Sequence, residues 1–157
     1  MPHYEPWSEA RAREVINEFA HLEGPLMPML HGIQETFGHV PEEVVPMLAE
    51  TLNQSRAEIH GVITFYHDFR HEPAGRHVLK LCRAEACQAA GGDALAAHAE
   101  DRLGCKLGET TADGRVTVEP IYCLGLCATA PSAMLDGRIV ARLTERRLEA
   151  LITEAQS

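Results

Sequence analysis

Cysteine placement constrains this chain more than any other feature. All five cysteines lie between positions 82 and 127, and four form two spaced pairs, Cys82-x4-Cys87 and Cys123-x3-Cys127. Each pair begins where a strand-forming run ends: residues 77–82 (HVLKLC) lead into the first and 115–122 (RVTVEPIY) into the second. Two neighbouring strands of one sheet would carry both pairs to the same end of that sheet. The residues between the pairs suffice for a crossover helix and its return arm. Four thiolates gathered in one place repel one another and are costly to bury, so the arrangement asks for a positive centre.

The loops narrow the choice of centre. Residues 82–87 (CRAEAC) and 123–131 (CLGLCATAP) are rich in small side chains, which let backbone N–H groups come close to sulfur. Gly125 allows a positive φ at the second turn, and Ala130–Pro131 is a candidate cis peptide shaping the same loop. A two-iron, two-sulfide cluster fits this environment. It is anionic when oxidised and gains a further negative charge on reduction, which N–H donors stabilise. Spacing alone leaves structural zinc nearly as good a reading, since zinc sites of four cysteines use similar pairs. Disulfides are a weaker option because nothing marks an oxidising compartment. A thiol-exchange site is disfavoured by the lack of Cys-x-x-Cys. Cys105, in Gly104-Cys105-Lys106, reads as a free thiol.

The rest of the second part alternates strand and helix. Gly91-Gly92 and Asp93 precede a helix with Leu95, Ala99 and Leu103 on one face. Asp113-Gly114 is a turn, and Asp136-Gly137 is a hairpin signal between 133–135 and 138–141. Thr144 caps a last helix carrying Leu148, Leu151 and Ile152. Strand, helix, strand, hairpin, helix is an α/β layer order of thioredoxin-like size.

A turn-rich run, residues 71–76 (HEPAGR), places a domain boundary near Pro73, giving a helical domain over 1–73 and an α/β domain over 74–157. Charge divides there too: 12 acidic and 4 basic residues precede the boundary, 11 and 10 follow it. Ser8 caps a first helix with Val15, Ile16, Phe19 and Leu22 inward, ended by Gly24-Pro25. In the second, Leu26, Met29, Leu30, Ile33 and Phe37 keep the helical rhythm, and Gly38 closes it. The run Pro41-Glu42-Glu43 opens a third with Val44, Leu48 and Leu52 inward, which Pro46 should interrupt and bend. Residues 55–58 (SRAE) form a capping-box pattern for a fourth. Phe65, Tyr66 and Phe69 follow, and read either as core or as a domain or subunit contact.

The net charge of −9 argues against nucleic acid or an anionic membrane as partner. No apolar run approaches the ~20 residues of a membrane span, and no secretory signal is visible, so a cytoplasmic protein is expected. His67 and His71 could face one metal if helical, but such pairs are ordinarily surface residues. The sequence shows no Ser-His-Asp arrangement, phosphate-binding glycine loop or dinucleotide fingerprint, and no catalytic residue is assigned.

The cysteine pattern, with Cys-Leu-Gly-x-Cys-Ala-x-x-Pro at 123–131, resembles the thioredoxin-like [2Fe-2S] ferredoxin subunits. These accompany the flavin subunit of bacterial complex I and of NAD-linked hydrogenases and formate dehydrogenases. The helical part shares the likeness at 30–43 (LHGIQETFGHVPEE) and 61–66 (GVITFY), so it spans about residues 24–143. Within the family, residues 82–87 (CRAEAC) and 119–128 (EPIYCLGLCA) look most like the gamma subunit of NAD-dependent, molybdenum-containing formate dehydrogenase. The resemblance implies an N-terminal helical bundle followed by a thioredoxin-like domain holding one [2Fe-2S] cluster. Cys82 and Cys87 would hold one iron, and Cys123 and Cys127 the other. It implies a partner bearing FMN, NAD and a further iron–sulfur cluster, and in formate dehydrogenase a large subunit with the molybdenum cofactor. The chain would then be an electron-transfer subunit of an oxidoreductase, with the complex I and hydrogenase counterparts as alternatives. The reading of another class is a zinc-stapled interaction module.

Overall fold

The structure, a computed structural model, describes residues 4–157. The chain divides between Pro73 and Ala74 into two compact units. The first holds α1 (Glu9–Phe19), α2 (Leu26–Phe37), α3 (Val44–Leu52) and α4 (Arg56–Phe65). Ser8 starts α1 by accepting the Arg11 N–H on its hydroxyl. The helix ends at Phe19, earlier than the Gly24-Pro25 signal suggests, so Leu22 lies outside it and is exposed. Gly38 ends α2 in the left-handed conformation, φ 79°, a backbone region that disfavours residues with a Cβ.

Pro46 does not break α3. It is the third residue of the helix, where backbone N–H groups have no intrahelical partner to lose. The turn ahead of it is closed by Val44 and Val45 donating to the Pro41 and Glu42 carbonyls at 3.1 Å each. The apolar faces meet in one core that includes Ile16, Met29, Leu30, Ile33, Leu48 and Ile59, all at most 2% exposed. Each such side chain contributes about 1.5–3 kcal/mol through burial. The aromatic run splits: Phe69 is core, whereas Phe65 and Tyr66 are 72% and 45% exposed.

The second unit contains β1 (His77–Cys82), α5 (Glu85–Ala89), α6 (Gly92–Leu103), β2 (Glu109–Thr110), β3 (Val116–Ile121), β4 (Ala133–Leu135), β5 (Arg138–Val140) and α7 (Glu145–Gln156). The sheet order is β2-β3-β1-β4-β5. Central β1 runs parallel to β3 and antiparallel to β4, and the outer pairings are antiparallel. Alternate residues of the strands face the helices: Leu79 and Leu81 of β1 and Val116 and Val118 of β3 pack with Ala96 and Ala99 of α6 and Leu148 and Ile152 of α7. The parallel pairing demands a crossover, and α6 supplies it. Two elements escape the sequence pattern. Strand β2 is too short to show alternation, and α5 is a single turn of helix inside the segment that reads as a loop.

Helix α4 begins with a complete capping box. The Ser55 hydroxyl accepts the Glu58 N–H at 3.2 Å, and Glu58 accepts the Ser55 N–H at 2.8 Å. The Ser55 N–H, with its hydroxyl, holds the Glu58 carboxyl below the ordinary carboxylate range. A carboxyl lowered in the folded state stabilises above its unfolded value and loses that contribution as pH falls through its folded value. The Glu58→Gln chain should therefore be less stable than the parent near neutral pH. Urea midpoints of the two should converge as pH is lowered through the carboxylate range.

Candidate metal centre

Strand register builds the site. In the β1–β3 ladder Cys82 stands opposite Ile121, so Cys123 follows just beyond the same end of the sheet. Cys87 lies on α5, which packs beside the helical turn Cys127–Thr129. The four cysteines expected from the sequence are thus brought to one place. The first pair is buried, with Cys82 4% and Cys87 2% exposed, and the second is at the surface.

Within each pair the sulfurs are neighbours. The Cys82 and Cys87 thiols share a hydrogen bond, and Cys123 Sγ and Cys127 Sγ are 3.5 Å apart. A disulfide would need about 2.05 Å, whereas two thiolates on one tetrahedral metal at about 2.3 Å lie about 3.8 Å apart. All five cysteines are free thiols. Among the described residues no three His, Cys, Asp or Glu side chains group as one metal ion requires. The thiols are presented as two pairs. His67 and His71 follow the end of α4 and share no helical face.

Donors surround the sulfurs. Burial pushes the Cys82 thiol up, but the Ala84 N–H, the Cys87 thiol, the Cys123 N–H and the Ser132 hydroxyl together outweigh it and hold the thiol below its ordinary value. The Gly125 N–H points at Cys123 Sγ from 3.3 Å. The Cys127 thiol is pushed up, first by its hydrogen bond with the Cys123 thiol and that group's charge, then by burial and the charge of Cys87. The two pairs therefore sense each other electrostatically. The Cys127 thiol is thus held back from ionising by its neighbours, and a positive centre would relieve that opposition.

Backbone conformation holds this geometry. Cys123 itself has a φ of 81°, in the left-handed region, while its N–H serves the Cys82 sulfur. For a residue with a side chain this conformation costs about 1–3 kcal/mol and persists only where surroundings enforce it. Gly125 has a φ of 77°, and Ala130–Pro131 is cis. Gly92, at the start of α6, touches the first pair directly: a Cβ there would stand 2.6 Å from the Cys87 carbonyl oxygen. Helix entry accounts for Gly91, at φ 92°, but not for this close approach at Gly92. Nor does pattern single out Ser132. Its buried hydroxyl lies 3.5 Å from Cys87 Sγ, and only its place after Pro131 marks it in the sequence. Cys105 stands apart, packed beside the core of the second unit, with its thiol pushed up by burial and by Glu109 and Glu100.

Paired thiols at a sheet end, each pair facing amide donors, define the class of thiol-rich metal-site proteins. Similarity to known proteins specifies which kind. A family model described as thioredoxin-like [2Fe-2S] ferredoxin matches residues 12–156. The chain is 34% identical over 132 residues to a subunit of the NADH-quinone oxidoreductase of Pseudomonas aeruginosa, covering 82% of this chain and 80% of that one. It is 30% identical over 145 residues to the HndA subunit of the NADP-reducing hydrogenase of Solidesulfovibrio fructosivorans, covering 90% and 85%. An NAD+-reducing [NiFe]-hydrogenase solved in the air-oxidized state superposes with a TM-score of 0.70 at 29% identity. That match covers 83% of this chain and only 22% of the hydrogenase chain. The chain belongs to the thioredoxin-like [2Fe-2S] ferredoxin family and carries one [2Fe-2S] cluster. Family membership thus decides between iron and zinc, which spacing left close.

Placing a methyl group at position 92 should force the Cys87 carbonyl, and α5 with it, away from the start of α6. We expect Gly92→Ala to destabilise the second unit by about 1–3 kcal/mol, the usual cost of overpacking. Chemical denaturation with iron analysis checks both effects, and bound iron per chain should fall.

Proposed function

We propose that Cys82 and Cys87 hold one iron of the cluster, that Cys123 and Cys127 hold the other, and that the chain passes single electrons to and from a flavin- and iron–sulfur-bearing partner. The observation that carries this reading is the joint placement of a buried and a surface thiol pair at the end of β1 and β3. When bound, the cluster supplies a one-electron redox centre. The chain's own residues do the rest. The buried pair anchors the centre in the sheet. The amides of Ala84, Cys123 and Gly125 offset negative charge on the sulfurs. The exposed segment bearing Cys123 and Cys127, flanked by Tyr122 at 73% exposure, leaves one side open for electron exchange.

The parent assembly we favour is a cytoplasmic, NAD-dependent formate dehydrogenase, in which this chain is the gamma-type subunit. FMN, NAD and further clusters would sit in the flavin-bearing partner, and the molybdenum cofactor in a large catalytic subunit. The residues at 82–87 and 119–128 support this choice. No helix among the described residues is long and apolar enough to cross a membrane. The second reading is the equivalent subunit of an NADH-quinone oxidoreductase or of an NAD(P)-linked hydrogenase, favoured by the names of the relatives. Flavin chemistry with NAD moves two electrons together, so a one-electron carrier beside the flavin can hold one while the other moves on.

Serine at position 123 or 127 should lower or alter two-iron content, read from visible absorption and from the paramagnetic signal after reduction. Cys105→Ser should leave both intact. Unchanged spectra in both ligand variants would reject the assignment. The assembly copurified with this chain should reduce NAD with formate. Reduction of NAD(P) by hydrogen in place of formate, or oxidation of NADH by quinone, would select the second reading.

A further inference from the structure

Ser132 is tied to the first cysteine pair at both ends. Its carbonyl accepts the Cys82 N–H at 3.1 Å, and the next residue, Ala133, begins β4 opposite Leu81. Its side chain is 2% exposed, and the hydroxyl lies 3.5 Å from Cys87 Sγ. A buried hydroxyl without a partner is costly, and among the described residues no buried side-chain nitrogen or oxygen lacks one. The sulfurs of the first pair fill that role: Cys87 Sγ at 3.5 Å, and Cys82, whose thiol the same hydroxyl also holds down. Between two neutral groups either could donate. A thiolate bound to iron has no proton, so once Cys87 is a ligand any hydrogen bond across the 3.5 Å contact with it is donated by the serine.

We propose that the Ser132 hydroxyl donates a hydrogen bond to the Cys87 thiolate and thereby raises the reduction potential of the centre. The proposal rests on the reading of Cys87 as a ligand. The physical basis is charge: reduction adds an electron to an anionic group, and a donor on a ligand sulfur favours the more negative state. The backbone donors at this site survive most substitutions, whereas this one is a side chain. The buried pair is also where exclusion of water makes such a bond strongest.

The test uses the full chain reconstituted with iron and sulfide, as parent, Ser132→Ala, Ser132→Thr and Cys87→Ser. Bound iron and sulfide, the midpoint potential from a dye-mediated titration and the Fe–S(Cys) stretching bands in H2O and D2O are read for each. Ser132→Ala should keep its cluster and shift the one-electron equilibrium about tenfold toward the oxidised state, a fall of about 59 mV. Part of the D2O shift of the stretching bands should vanish with it, and Ser132→Thr, which keeps the hydroxyl, should restore both. Cluster loss in Ser132→Ala with retention at the parent potential in Ser132→Thr would likewise support the hydroxyl. An unchanged potential in a fully loaded Ser132→Ala chain overturns the proposal. So do equal shifts or equal cluster loss in the alanine and threonine variants, which would make the residue a matter of packing. A Cys87→Ser chain with an unaltered cluster would instead reject the ligand assignment, and the hydrogen bond with it.

Discussion

The parallel pairing of β1 with β3 is the constraint on which the site depends. Six consecutive residues of one strand are held against six of the other, from His77 opposite Val116 to Cys82 opposite Ile121. A one-residue slip of β1 would turn Leu79 and Leu81 off the helical face and move Cys82 relative to Cys123. The apolar core thus fixes the register, and the register fixes the distance between the thiol pairs. Stability and chemistry share one ladder. Close to the same strand end, the Arg83 N–H continues the ladder by donating to the Ile121 carbonyl at 2.8 Å.

Around this ladder the chain places strain and small residues where sulfur must be approached. Cys123 adopts a left-handed backbone, and Gly92 leaves room for the Cys87 carbonyl. Gly125 turns its N–H toward Cys123. Each of these choices sacrifices some local preference, and the packing of α6 and α7 on the sheet supplies the stability that permits it. The asymmetry between a buried and a surface pair has a physical use. Burial limits reorganisation of water around the charge, whereas exposure shortens the path to a partner.

Much of the architecture is legible in the chain itself. Helices α2 and α4 carry their own boundaries, a left-handed Gly38 in one and the Ser55–Glu58 box in the other. Strands β1 and β3 and the Asp136-Gly137 hairpin announce themselves by alternation and turn chemistry. Where pattern and structure part, the cause is shared: a local signal does not locate an element's end to within a residue. Pro46 has the look of a helix breaker, yet it falls in the first turn of α3, where it is harmless. Leu22 fits the apolar rhythm of α1, but the helix stops before reaching it. The aromatic run at 65–69 carries no sign that Phe69 turns inward while Phe65 stays in solvent.

Local pattern alone determined the helical first unit, the strand–helix alternation of the second, and the presence of a thiol-rich centre, because periodicity, capping and cysteine spacing are properties of short segments. It left iron and zinc close on spacing, since both metals accept four thiolates at such intervals. Tertiary structure decided which pair is buried, which amides reach sulfur and that Ser132 faces Cys87 from 45 residues away. Those contacts join segments distant in the chain. They exist only once the sheet register has brought β1, β3 and β4 together.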